Sequence, residues 1–240
     1  MPTPVGTASP IKGSYVSSIT IGSFACSGSD RMIAVGVATC WSISAVSSVV
    51  RGGSETFGGG FTDSASPQEV RLLVYASAPG PGTGAADIVV TFADNAAAYS
   101  GAFALAFSDV DQAAPLGTAV TSNGSDSALS NTPAADDADL VIDVAHWRND
   151  SNADCVAGAN QTEQLDYNFA AGTDYYQLIC STQAGDVAGD VMSWTLSGGG
   201  NFRSGAVAIK PYGGDPDTYG TPRDHSGCKP WSSIWRPARA

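Results

Sequence analysis

"GAFALAFSD", residues 101–109, sets Phe103, Leu105 and Phe107 at every second position and Ala102, Ala104 and Ala106 between them. Successive side chains of a strand point to opposite faces, so this segment carries one bulky apolar face and one face of methyl groups. The alanine face must be covered closely or left smooth. The same period of two recurs along the chain. "DIVVTF" (87–92) aligns Ile88, Val90 and Phe92, and "DLVIDVAHW" (139–147) sets Leu140, Ile142 and Val144 opposite Val141, Asp143 and Ala145. "DVMSWTLSG" (190–198) aligns Met192, Trp194 and Leu196, and "GAVAIKP" (205–211) aligns Val207 with Ile209. Short alternating runs of this kind predict antiparallel strands.

The punctuation between the runs agrees. "RGGSE", "APGPGTG", "SNGSDS", "NTPAADD" and "SGGGN" combine Gly and Asn, which accept positive φ, with Pro, which fixes its own φ. No stretch carries a sustained 3.6-residue apolar stripe. "TDSASPQEVRLL" (62–73) has room for one short helical turn before its strand, and "APGPGTG" reads as a hairpin tip. The fold expected is all-β: an antiparallel β-sandwich of jelly-roll or Greek-key type, with extended N- and C-terminal arms. The sandwich is expected as one domain over residues 13–212, with arms at 1–12 and 213–240.

Bulk composition excludes several roles. The 240 residues are 43% hydrophobic and only 14% charged, which excludes global disorder. The net charge is −12, from 23 acidic and 11 basic residues. Such a surface repels phosphate backbones, and no basic stripe is interleaved with aromatics, so no nucleic-acid partner is expected. No apolar run approaches the length of a membrane-spanning helix, so no membrane partner is expected either. "MPTPVGTASPIKG" has neither the basic nor the apolar region of a secretory signal.

Chemistry is sparse. Five cysteines (Cys26, Cys40, Cys155, Cys180, Cys228) form no C-x-x-C, and with His146 and His225 they give no zinc spacing. They read as scattered small hydrophobes with room for one or two disulfides, and the sequence leaves open whether any pair. G-x-S-x-G is absent, and His146 reads as structural or surface. Gly80, Gly82 and Gly84 precede a strand rather than the helix a phosphate loop must open. Asp109 and Asp111, or Asp136, Asp137 and Asp139, offer oxygens for calcium but lack the glycine-bent loop pattern. No metal and no cofactor are expected. Glutamates are scarce (Glu55, Glu69, Glu163), which leaves little for glycoside hydrolysis. The sequons at Asn123, Asn149 and Asn160 matter only in a glycosylating host.

Two groups remain as candidate binding residues. Trp147, Tyr167, Tyr175 and Tyr176 lie in or near polar loops, where exposed rings could stack on sugars or finish a core. In the C-terminal stretch, "GGDPDTYGTPRDHSGCKPWSSIWRPARA" (213–240), four prolines accompany Tyr219, Trp231, Ile234 and Trp235. Residues 211–240 also reverse the acidic balance, with four bases against three acids. Either this segment wraps onto its own domain, or it docks on a neighbour through those apolar anchors, with Arg236 and Arg239 meeting an acidic surface.

"SGSDRMIAVGVAT" (27–39), "VSSVVRGGSETF" (46–57), the stretch from "VRLLVYASAPGPGTG" to "FALAFSDVDQAAPLGT" (70–118) and "SWTLSGGGNFRSGAVAIKP" (193–211) together resemble a phage virion module. The resemblance spans about residues 20–211 and rests on strand patterning. It implies a concanavalin-like or jelly-roll sandwich of the kind used in bacteriophage particles and bacterial surface proteins. Under it "RGGSETF" is a structural turn, with Gly52 and Gly53 reversing the chain, and Arg31 and Arg51 pair locally with carboxylates. The function expected is a non-enzymatic virion structural protein, a decoration or cement protein on the capsid surface. Its partners would be the major capsid protein or other virion proteins, with self-association as a homo-oligomer. The alternative is a carbohydrate-binding module of a tail, fibre or bacterial surface protein. An enzyme of glycan hydrolase or lyase type comes third.

Overall fold

The computed structural model describes residues 1–6, 10–40, 45–65, 68–77, 80–93, 99–149, 154–171, 174–186, 189–198 and 200–213. Among them there is no helix, and every strand pairing is antiparallel. The first half of the chain forms β1 (Thr3–Pro4), β2 (Ile11–Gly13), β3 (Ser18–Phe24), β4 (Met32–Cys40) and β5 (Val46–Arg51). It continues with β6 (Glu55–Thr56), β7 (Gly58–Ala65), β8 (Gln68–Tyr75), β9 (Ala86–Phe92) and β10 (Tyr99–Ser108). The second half forms β11 (Val120–Gly124), β12 (Ala128–Asn131), β13 (Leu140–Asn149) and β14 (Cys155–Ala157). It ends with β15 (Thr162–Ala171), β16 (Asp174–Ala184), β17 (Met192–Leu196) and β18 (Asn201–Ile209).

These strands make four sheets. Sheet I runs β1-β10-β4-β8-β7, with β2 also on β10, and sheet II runs β3-β9-β5-β6. Sheet III runs β11-β18-β13-β16-β15, and sheet IV runs β12-β17-β14. Each sheet is joined to the next by apolar side chains. Ile33, Val35 and Val37 with Ala102, Ala104 and Ala106 of sheet I meet Ile19, Val49, Ile88 and Val90 of sheet II. On its other face, Phe103, Leu105, Phe107 and Leu72 of sheet I meet Ile142, Val144, Leu178 and Val207 of sheet III. Ala145, Trp147 and Ile179 of sheet III then meet Leu129, Trp194 and Leu196 of sheet IV. The methyl face of residues 101–109 is therefore covered closely, by sheet II, and Ala102 through Phe107 are all fully buried. A central strand buried on both faces suits alternating large and small residues, because the close side leaves no volume for more than a methyl group.

The two halves repeat one arrangement. In sheet order, β2-β10-β4-β8-β7 corresponds strand for strand to β11-β18-β13-β16-β15. Likewise β3-β9-β5 corresponds to β12-β17-β14. The sequence echo is short: "SGAFAL" (100–105) and "SGAVAI" (204–209) begin β10 and end β18, the equivalent strands. The halves are tied where they meet, because Asp111 N donates to Lys210 O at 3.0 Å and Lys210 N to Pro115 O at 2.8 Å.

The turn expected at "RGGSETF" is present: β5 and β6 form a hairpin closed by Gly52 and Gly53 at φ 58° and 78°, while β4 lies in a different sheet. Other expectations change. β8 and β9 also lie in different sheets, so "APGPGTG" is a crossover between sheets rather than a hairpin tip. The segment 62–73 has no helical turn among its described residues, because β7 and β8 claim it on either side of 66–67. The N-terminal stretch is not an extended arm in its described parts. Thr3 and Pro4 pair with Ser108 and Phe107, and Ile11–Gly13 pair with Ser100–Ala102, so it completes the edge of sheet I. Cys26, Cys40, Cys155 and Cys180 are buried and form no disulfide with one another, and Cys228 lies outside the described residues.

Candidate functional site

Polar side chains inside this fold serve two purposes, bracing and something else. Arg51, 2% exposed at the end of β5, is the clearest brace. Its Nη1 meets Glu55 Oε2 at 2.6 Å across the Gly52–Gly53 turn. Its other nitrogens donate to the carbonyls of Phe24, Gly82 and Gly84. Glu55 Oε1 in turn accepts from Gly82 N at 2.7 Å. One guanidinium thus clamps the hairpin, the end of β3 and the crossover loop together, a geometry suited to its planar fork. Arg31 helps from the other side, donating to Pro81 O and Gly28 O, each at 2.7 Å.

Asp143 does the same between sheets III and IV. It accepts from Ser181 N at 2.7 Å, Ser181 Oγ at 2.8 Å and Trp194 Nε1 at 2.7 Å. Burial pushes its carboxyl up to about 6 even though these donors favour the charged form. On the opposite face of β13, His146 is fully buried and stacks on Tyr176 with ring centroids 5.7 Å apart. Burial, with Arg148 and Arg203 nearby, pulls its imidazole down to about 3, so it is neutral at pH 7.

The sequence-predicted acidic sites are also absorbed by local structure. Asp109 accepts from Ser29 and Ser108 hydroxyls, and Asp111 Oδ1 accepts from Ala113 N and Ala114 N. Asp139, 2% exposed, accepts from Lys210 Nζ at 2.6 Å and from Asp136 N at 2.9 Å. Among the described residues, no three His, Cys, Asp or Glu side chains are grouped to hold a metal.

The proposed sugar platforms divide. Trp147 and Tyr176 are fully buried on β13 and β16, so neither ring is in a loop or open to a ligand. Alternation explains this: Trp147 follows Ala145 onto the face that meets Trp194, and Tyr176 shares the opposite face with Leu178. Tyr167 and Tyr175 are half-buried on β15 and β16. Tyr219, Trp231, Ile234, Trp235, Arg236 and Arg239 lie outside the described residues.

A different group stands out, and sequence reading missed it. On the face of sheet I that looks toward sheet II, Ser100, Thr39 and Glu69 sit side by side on β10, β4 and β8. They are 0%, 1% and 2% exposed. Arg71, one pleat further along β8, pairs its Nε with Glu69 Oε1 at 2.5 Å and donates from Nη1 to Val46 O at 3.2 Å. Among the described residues, Thr39 Oγ1 and Ser100 Oγ have no hydrogen-bond partner. A signal was present in the alternation: Ile33, Val35 and Val37 lead to Thr39, and Glu69 and Arg71 lead to Leu73 and Tyr75. Polar residues occupy positions that the period assigns to core.

Beyond the edge strand β2 the surface opens. Gly13 pairs with Ser100, and a methyl group built on Gly13 would lie 2.5 Å from Val16 Cγ2 and 3.3 Å from Ser100 Oγ. Tyr15, Val16, Ser17 and Ser18 line an open depression of about 390 Å³. Tyr15 is 68% exposed and holds φ at 54°. Its ring meets Tyr99 edge-on at 5.9 Å, and Tyr99 stacks on Tyr176 at 6.0 Å. An aromatic column therefore runs from the surface to His146.

No protein family, curated protein or solved structure matches this chain.

Proposed function

We propose that this chain is a non-enzymatic structural protein of a virus particle, a decoration or cement protein on a phage capsid. In this reading each half is a sandwich of jelly-roll type, and the two stand in tandem back to back. The observation that carries the proposal is where the buried polar chemistry goes. Arg51 and Asp143, the most elaborately bonded buried ionisable side chains described, tie sheet to loop and sheet to sheet. Such bracing makes a stiff body, which reinforcement of a shell requires. The acidic balance, −12 over the chain, suits a surface that stays soluble and repels nucleic acid. Residues 213–240 would supply the docking arm, with Trp231, Ile234 and Trp235 as anchors and Arg236 and Arg239 as charge partners.

The test is binding of the purified chain, with and without residues 213–240, to capsids that lack decoration. Binding by the full chain and its loss on truncation supports the reading. No binding by either form overturns it.

A carbohydrate-binding module is the second reading. Trp147 and Tyr176 lend it no platform, since both are buried, but the depression at Tyr15 does.

A further inference from the structure

Eight asparagines occur in the chain, and only Asn123 is followed by glycine. That pairing matters chemically. The main-chain nitrogen of the residue after an asparagine can attack the side-chain amide, and a side chain on that residue obstructs the approach. Gly124 has none. By contrast, Asn131 precedes the β-branched Thr132, Asn168 and Asn201 precede phenylalanines, and Asn160, in a turn, precedes Gln161.

The fold leaves this dipeptide open. β11 is the edge strand of sheet III, paired on one side to β18, and Gly124 is its last residue before the bend at 125–127. Asn123 and Gly124 are both exposed. Strand ends at a sheet edge open locally at a fraction of the global unfolding free energy, so the extended backbone can turn into the geometry that attack needs. The repeat shows that the architecture does not require this pair. Ser204–Ala145–Ile179 of the second half correspond to Ser100–Thr39–Glu69 of the first, and on that register Asn123 and Gly124 correspond to Ser14 and Tyr15.

What lies beneath gives the change a consequence. Asn123 stands opposite Arg203 in the β11–β18 register. Gly205, on the same face of β18, lies so close to Phe61 of β7 that a Cβ there would run into the ring. Asp63, 9% exposed on β7, sits at this contact too: burial raises its carboxyl, and Arg203, Ser204 and Asn123 act against that rise. β7 belongs to the first half and β11 and β18 to the second, so Asn123 lies on the seam between the halves.

We propose that Asn123–Gly124 is a self-modification site, where the folded protein converts Asn123 to aspartate and isoaspartate and thereby loosens β11 at the seam. Gly124 N bonds to Asn123 Cγ, the Cγ–Nδ2 bond breaks, and ammonia leaves with the proton that Gly124 N gives up, so a cyclic imide forms. Water then opens the imide at either carbonyl. One opening gives aspartate. The other gives isoaspartate, which routes the main chain through the former side chain and adds a methylene to it. That methylene puts Asn123 and Gly124 out of step with Arg203 and Phe202, and both products set a new carboxylate toward the buried carboxyl of Asp63. The step uses only water, and it is independent of the C-terminal segment and of capsid docking.

The experiment holds the full chain at mildly alkaline pH and body temperature for weeks, with peptide mapping by a mass-spectrometric method that separates aspartate from isoaspartate. Asn123 is expected to convert first among the eight asparagines, and the converted protein to bind anion exchanger more tightly through its added negative charge. Gly124→Ala should slow conversion by about tenfold, since its methyl group crowds the nitrogen. A thermal melt checks that this variant folds, because a Cβ at Gly124 would lie 3.0 Å from the Phe202 ring. Asn123→Gln, which leaves Gly124 untouched, should abolish the converted form. In the separated converted protein, amide exchange over residues 120–124 should quicken by about tenfold while that of β13 holds. An Asn123 that stays intact in the folded chain while the urea-unfolded chain converts overturns the proposal, as does conversion led by another asparagine. Unchanged exchange in β11 after conversion overturns its effect on the seam.

Discussion

The two halves of this chain hold one strand order and fill it with different chemistry. In the first half, Phe103 of β10 stands opposite Gly36 of β4, and in the second, Val207 of β18 stands opposite Ile142 of β13. Both pairs face the cluster between sheets I and III, and both fill similar space, one as large against nothing and the other as medium against medium. Packing density is what the fold conserves, and the partition of volume between neighbours is free.

Breaking that compensation should give the largest effect. A Cβ on Gly36 would lie 2.1 Å from Phe103 Cε1, so Gly36→Ile cannot be accommodated while the ring stays. It should destabilise by at least the roughly 1–3 kcal/mol typical of overpacking. Phe103→Val alone should also destabilise, by about 2–4 kcal/mol, through the cavity it leaves. Together the two substitutions transplant the second half's pair into the first, and the double variant should recover most of the loss. Denaturant unfolding of all four proteins measures the coupling. Additive losses would mean that the two positions are not equivalent and that the repeat is one of topology alone.

Much of this was legible in the sequence and some was not, for physical reasons. Alternation marked the strands, because half-buried and fully buried strands both need a side chain inside at every second position. It could not separate hairpins from crossovers, since a Gly/Pro loop such as residues 78–84 serves either. The repeat escaped because its signal is one hexapeptide, "SGAFAL" against "SGAVAI", while other equivalent positions traded volume or polarity, as Gly36 with Ile142 and Thr39 with Ala145. Trp147 and Tyr176 read as rim aromatics because each lies near the polar end of a run, where sequence does not say which sheet covers it. The buried polar row needed three strands brought together, and only the misplaced polar residues at 39 and 69 gave local notice.

A second contrast lies within β13, where Asp143 faces sheet IV and His146 faces sheet I. Their pH dependences oppose each other. His146 has its folded value lowered to about 3, so its contribution is present above about 6.5 and is lost as pH falls toward 3. Asp143 has its folded value raised to about 6, so its contribution is full below about 3.8 and is lost as pH rises through 6. Between those values the two slopes, each roughly 1.4 kcal/mol per pH unit, should nearly cancel. His146→Phe keeps a ring against Tyr176 and should leave the protein gaining stability on acidification from pH 6 to 4. Asp143→Asn should shift the slope toward loss relative to the parent protein over the same range, with Asp166, whose carboxyl burial also raises to about 6, titrating alike in both. Urea midpoints across pH 3.5–7 read both, and parallel slopes in the two variants would refute the assignment.

The smallest effect concerns the row that only the first half keeps polar. Thr39→Val preserves shape and removes a buried hydroxyl that has no partner among the described residues, so it should stabilise by about 1 kcal/mol. Glu69→Ile, which carries the second half's residue, should do the opposite, since it strips Arg71 of the carboxylate 2.5 Å from its Nε. Thermal melts of the two variants distinguish a row that the fold requires from one it tolerates. A loss of stability in Thr39→Val would make the hydroxyl structural. A gain would mean that the first half carries, at Thr39, a group whose presence its own packing does not explain.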